Sequence, residues 1–204
     1  DLNQAIEGKS GYLQIMLERD VVLDALPGAA TLSAVRICNK EGQNYALLLE
    51  AADISLRSDT VLALNTKLLS KKMSLKGNNY KLILEGMTFS GGDLTAEGVE
   101  LICGYQVTLA GNIDGLKSLY LDQNKSITEE NGNLYWENVY GGSSLLIKGK
   151  ISNIGTLYMY GNSIYLEKTG SMELNNIAGI YGDIYQQKRA DRYSGLTVKH
   201  TMED

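Results

Sequence analysis

The side chains that most often carry chemistry are scarce and scattered in this chain. His200 is the single histidine and lies four residues from the last position. Zinc sites usually gather several His or Cys ligands, and Ser-His or Cys-His catalysis needs a histidine placed beside its nucleophile, so one terminal histidine argues against both. Cys38 and Cys103 have no histidine near them in sequence, and a thiol without an activating base is a poor nucleophile. The sequence holds no G-x-S-x-G, P-loop, H-E-x-x-H or dinucleotide fingerprint. Glycoside hydrolysis needs only two carboxylates at roughly 5–9 Å. Glu129 and Glu130 are adjacent in SITEENGN, which reads as an exposed turn instead. Asp114 and Asp122 lack the D-x-D-x-D-G spacing of a calcium loop. No cofactor, no metal and no enzymatic activity are expected.

Composition narrows the partners. The 204 residues carry a net charge of −5, and the basic residues are dispersed, with Lys71-Lys72 and Lys188-Arg189 the only adjacent pairs. Phosphate backbones need clustered Lys and Arg, so charge alone argues against nucleic acid as a partner. No apolar run approaches the roughly 18–20 residues that span a bilayer. The polar opening DLNQAIEGKS has no signal-peptide character, so any location signal is expected outside this stretch. One proline, 22 glycines and 13 tyrosines against single Phe and Trp residues suggest many short strands with tight turns.

What would position any site is a repeat. The segment VTLAGNIDGLKSLYL (107–121) aligns without a gap on LLIKGKISNIGTLYM (145–159), Val107 on Leu145 and Leu119 on Leu157, a 38-residue echo. At half that period, apolar-x-apolar triplets form three series. The first holds Leu47-Leu49, Leu68-Ser70, Met87-Phe89, Val107-Leu109, Ile127, Leu145-Ile147 and Ile164-Leu166. The second holds Ile15-Leu17, Val35-Ile37, Ile54-Leu56, Met73-Leu75, Leu94, Ile113, Leu134-Trp136, Ile151 and Met172-Leu174. The third holds Val21-Leu23, Leu62-Leu64, Leu82-Leu84, Val99-Leu101, Leu119-Leu121, Val139, Leu157-Met159 and Ile177.

The pattern predicts an all-β solenoid: a parallel β-helix of about 19–20 residues and three short strands per coil, the longer echo spanning two coils. About ten coils would extend roughly 48 Å. Glycine recurs at the expected corners (Gly77, Gly111, Gly132, Gly149 and Gly170), where a left-handed residue costs least. Residues 1–204 form one domain, with 1–32 as cap or irregular coil, 33–184 as regular coils, and 185–204 as loop and final strand. An antiparallel sandwich also has short strands, but it predicts no such echo. A leucine-rich frame and a strict hexapeptide period are both absent. Coil spacing would hold Cys38 and Cys103 roughly 16 Å apart, beyond disulfide reach, so both should be free and buried.

Residues 37–65 (ICNKEGQNYALLLEAADISLRSDTVLALN) and 77–112 (GNNYKLILEGMTFSGGDLTAEGVELICGYQVTLAGN) resemble the degenerate parallel β-helix domains of secreted, cell-wall-associated bacterial proteins. Those domains share the right-handed, pectin-lyase-like architecture. The resemblance covers most of residues 30–180 as spacing and composition, without a catalytic motif. It implies an extracellular or cell-surface, adhesin-like or glycan-facing module, often one segment of a larger chain.

Outward positions of the third series read Ala63, Ile83, Glu100, Tyr120, Tyr140, Tyr158 and Ala178. In that register Tyr120, Tyr140 and Tyr158 stack on consecutive coils, with Tyr135 and Trp136 one corner away. Such a ladder would offer a flat platform to a sugar face or a partner protein. Stacked tyrosines also stabilise parallel coils without any ligand. The function expected is therefore a non-enzymatic structural or adhesive module. The alternatives are a polysaccharide-active lyase or glycosidase, and a passive spacer. Ile83, Leu48, Leu69 and Leu146 also fall outward, to be covered by other structure or to form an association surface.

Overall fold

The computed structural model of the chain describes residues 2–121, 125–130, 133–138, 145–160, 163–181, 183–186 and 196–198. Apart from the short helix Leu2–Ile6, every element described is a strand. The strands wind into a parallel β-solenoid of about seven turns with three faces.

The first face stacks Val21–Leu23, Leu47–Leu49, Thr66–Leu68, Thr88–Ser90, Thr108–Leu109, Leu145–Ile147, Ile164–Leu166 and Ile184–Gln186. The second stacks Asp53–Ser55, Lys72–Lys76, Asp93–Glu97 and Asn112–Asp114, then the leading halves of the long strands Lys150–Tyr160 and Ser171–Tyr181, then Leu196–Val198. The third stacks Gly11–Leu17, Leu32–Asn39, Thr60–Ala63, Lys81–Leu84, Glu100–Cys103 and Ser118–Leu121, then the trailing halves of the same two long strands.

Alternation of side chains along each strand explains why these triplets form the interior. Leu82, Leu101, Leu119, Leu157 and Ile177 occupy one column, each paired with the next across a coil step. One coil alone would leave its column in water, whereas stacking removes it, so a single buried leucine cut back to alanine costs about 2–5 kcal/mol. The interior is tightly filled. A void between Leu75, Phe89 and Leu116 measures about 10 Å³, too small for a comfortable water. At the first end of the stack, Ile6 of the helix joins the same apolar core, and the Asn3 Oδ1 accepts a 3.0 Å hydrogen bond from the Gly28 amide.

From Asp53 to Leu121 each series falls on one face, but Ile54-Leu56, Leu62-Leu64, Leu68-Ser70 and Val99-Leu101 lie two residues out of step with the rungs that pair. Three further expectations require correction. First, the echo between residues 107–121 and 145–159 is one coil step rather than two. Thr108 pairs directly with Leu146, Ile113 with Ile151, and Leu119 with Leu157. Ile127 and Leu134-Trp136 are not rungs, because Lys125–Glu130 and Asn133–Asn138 form an antiparallel hairpin. Second, Ile15-Leu17 and Val35-Ile37 belong to the third face, and Val21-Leu23 belongs to the first. The corners there are wide: Val21 meets Leu47 and Val35 meets Thr60, each a longer step than the repeat allows, so sequence phase is lost. Third, the hairpin and wide corners consume chain that ten coils would have needed. Pairing also starts at Gly11, inside the stretch expected as a cap.

Gly111 and Gly149 sit at one corner for a different reason from the one expected. Neither has a left-handed φ; instead, a Cβ on Gly149 would lie 2.0 Å from the Gly111 carbonyl oxygen. Their backbones approach too closely for any side chain. Replacing Gly149 by alanine should therefore lower the urea-unfolding free energy by about 2–4 kcal/mol. Gly42→Ala, with φ of 78° and nothing within 4 Å of the added methyl, should cost only about 1–2 kcal/mol. Equal losses in the two variants would contradict close approach as the constraint.

Candidate functional site

The outward rows of the three faces differ in how far their side chains are already committed. On the second face Asp53, Ser74, Thr95, Asp114 and Ser152 form one row. Ser74 donates to the Asp53 carboxylate, Ser152 Oγ and Asn153 Nδ2 each donate to Asp114 Oδ1 at 2.7 Å, and Asn112 Nδ2 donates to Asp93 Oδ1 at 2.8 Å. Polar groups here bond along the stack, rung to rung. Ser74, Asp114 and Ser152 thus share a face as the second series predicts, and Asp114 is occupied by two donors. Asp122 lies outside the described residues.

On the third face the outward row runs Arg36, Val61, Ile83, Ile102, Tyr120, Tyr158 and Ala178. Tyr120 and Tyr158 are direct neighbours, with ring centroids 6.0 Å apart and planes tilted by 31°. Because they already pair, Tyr140 is not a rung between them, and it lies outside the described residues. Tyr135 and Trp136 sit on the hairpin strand Asn133–Asn138, not one corner away, and their side chains are likewise outside the described residues. Ala63 and Glu100 each fall two residues off the row, with Val61 and Ile102 in their places.

Half of that face is closed. Val61 is fully buried and Ile83 is 5 % exposed, although both point away from the solenoid interior. Asn133–Asn138 of the hairpin contacts Gly11–Leu17, the edge strand of this same face. Beside this cluster the Arg36 guanidinium reaches over the Ala63 rung to Glu85, with nitrogen–oxygen distances of 3.1 and 3.5 Å. Burial alone would lower the Arg36 pKa, but the hydrogen bonds and charge of Glu85 hold it above its usual value.

The first face carries the exposed aromatics. Its outward row ends Thr108, Leu146, Tyr165, Tyr185. The Tyr165 and Tyr185 rings stack with centroids 4.9 Å apart and planes 17° from parallel, and they are 42 % and 46 % exposed. The Tyr185 hydroxyl donates to Asp183 Oδ2 at 3.2 Å, and that carboxylate's charge, then its hydrogen bond, raises the phenol's pKa. Sequence reasoning missed this pair. The signal was present in IYL (164–166) and IYQ (184–186), one coil apart, each with Tyr between two inward positions. Leu69, expected as an outward strand residue, is exposed at a corner instead, since Thr66 and Leu68 take the inward places.

Cys38 and Cys103 are free and buried, as their spacing implies. They also face opposite ways. Cys103 pairs with the inward Leu84 and Leu121 and its pKa is pushed well up by burial, whereas Cys38 pairs with Met16 and Ala63 on the outer side. Among the described residues no group of three or more His, Cys, Asp or Glu side chains could hold a metal ion.

Comparison with protein-family models, with curated proteins and with solved structures finds no match for this chain. The geometry alone must therefore separate covered from open surface. Ile83→Asp should destabilise the fold by about 3 kcal/mol or more, since it buries an unpaired charge. Leu69→Asp, at an exposed corner, should stay within about 0.5 kcal/mol of the parent in the same denaturant titration. An Ile83→Asp variant as stable as the parent would show that the outward cluster is open to water.

Proposed function

We propose that this solenoid is a non-enzymatic binding module of a bacterial cell-surface protein, presenting the Tyr165–Tyr185 strip to the apolar face of a glycan. The observation that carries this reading is the near-parallel, half-exposed stacking of the two rings on adjacent coils. Tyrosine brings large contact area at low entropic cost, and a flat ring suits the C–H face of a sugar. Leu146 extends the strip by one rung. The surface assignment rests on the resemblance of residues 37–65 and 77–112 to secreted β-helix domains.

Tyr120 and Tyr158 support the reading less well, because both rings are half-buried and continue the row of the buried Ile83. They read better as cross-strand contacts that stabilise neighbouring coils. The passive spacer and the polysaccharide-active enzyme stand as competing readings, and the same assay separates them.

On a glycan array the parent chain should bind at least one neutral polysaccharide. Tyr185→Ala and Tyr165→Ala should each weaken that binding about tenfold, the worth of one lost stacking contact. Release of reducing or unsaturated sugar ends from the bound glycan would make the chain an enzyme. A blank array would leave the spacer.

A further inference from the structure

A second opening lies at the corner between the third and first faces, and nothing in the aromatic strip accounts for it. Three successive coils turn this corner with connections of unequal length. After Leu32–Asn39 the chain uses residues 40–46 to reach Leu47, but after Ala63 it uses only 64–65, and after Leu84 only 85–87. The long connection stands proud of the two short ones, and a groove of about 500 Å³ opens beneath it. That volume falls within the roughly 300–1,000 Å³ of small-molecule sites.

The walls are built rather than incidental. Asn39 Nδ2 donates to the Tyr45 carbonyl at 2.9 Å while Asn39 Oδ1 accepts from the Tyr45 amide at 3.0 Å, closing the long connection like a strand pair. Within it the Gln43 amide bonds the Lys40 carbonyl at 3.0 Å, and the left-handed Gly42 (φ 78°) makes the turn. Asp20 Oδ1 holds the Ala46 amide at 2.9 Å. On the floor, Ala63 and Gly86 are small enough to leave the space open, and Asn65 is fixed through Oδ1 to the Thr88 amide at 2.9 Å.

We infer that this groove binds a neutral, polyhydroxylated ligand such as a single sugar unit, at a site separate from Tyr165 and Tyr185. The lining chemistry selects that class. Gln14, Gln43, Asn44 and Asn65 bring amides, which donate and accept alike and so match hydroxyl groups. The Arg36 charge at the far wall is neutralised by Glu85, and Lys40 is adjacent to Glu41, so among the described residues the lining offers no net charge to a phosphate or a divalent cation. Cys38 also lines the groove and is 8 % exposed, which makes its thiol a built-in reporter, while Cys103 is wholly enclosed.

The test follows alkylation of Cys38 by iodoacetamide in the native chain, with calorimetric titration in parallel, against glucose, galactose, mannose, N-acetylglucosamine and cellobiose. At ten times its dissociation constant, a bound sugar should slow the reaction about tenfold. The Gln43→Ala/Asn44→Ala variant, altered only at exposed side chains, should lose both protection and heat with its thermal midpoint unchanged. Tyr185→Ala should retain both, so failure of the aromatic strip is distinguishable from failure of the groove. Neither protection nor heat from any of these sugars would overturn the inference. So would protection that survives in the Gln43→Ala/Asn44→Ala variant, or protection by inorganic phosphate or calcium in place of sugar.

Discussion

A coil of this chain has nowhere to hide its apolar triplets except against the next coil. Backbone amides and carbonyls of each strand are satisfied only by strands above and below, and inward side chains are dry only when stacked in columns. Everything else follows from that mutual dependence. Strands are short because three must fit in one turn, and they are parallel because the ribbon winds in a single sense. The interior is built of aliphatic side chains with Met73, Met87, Met159, Met172, Cys103 and Phe89 among them. Buried hydroxyls close on nearby carbonyls: Thr60 Oγ1 on Ser58 O at 2.9 Å and Thr66 Oγ1 on Leu64 O at 3.1 Å. Polar atoms at corners are thus satisfied locally, without interrupting the columns.

The same stacking sets the limits on corners. Where two backbones press together, as at Gly111 and Gly149, only glycine fits, and the constraint is contact between coils rather than φ. Where the chain must reverse, the left-handed Asn78 and Asn79 serve, and Asn78 Nδ2 adds a 3.2 Å bond to the Leu56 carbonyl of the neighbouring coil. Corners away from these contacts are free to lengthen. Residues 40–46 and the arm carrying the hairpin Lys125–Asn138 are both expansions at ends of strands, and neither disturbs the register of the coils beside it.

That freedom explains what could be read from the sequence and what could not. Between Asp53 and Leu121 the corners are compact, successive rungs keep close to one regular step, and the three series map onto three faces. Before Asp53 the corners widen, and an apolar triplet such as Val35-Ile37 carries no mark of which face it will join. Ile127 and Leu134-Trp136 have rung-like spacing yet pair antiparallel, because local alternation is common to hairpins and coils. The tyrosine ladder was right to put Tyr120 and Tyr158 on one outward row; it was wrong to give Tyr140 a rung between them, because those two residues are already adjacent. The exposed pair Tyr165 and Tyr185 was within reach of the same pattern, as the central residues of first-face triplets.

Outward rows differ in what remains for an external partner. Along the second face, Asp53, Ser74, Asp114 and Ser152 exchange hydrogen bonds between coils, so a ligand would have to displace existing partners and recover their energy before gaining any. Along the third, the apolar Val61 and Ile83 are already buried, so that surface is part of the fold. The first face and its corner are less committed. There the rings of Tyr165 and Tyr185 meet only each other among the described ring contacts, and the amides of the corner groove face solvent across small floor residues. Binding to a rigid, prearranged surface costs little ordering entropy, and a stacked solenoid supplies such surfaces along its whole length. Recognition therefore belongs to the rows and corners that the stack does not use to hold itself together.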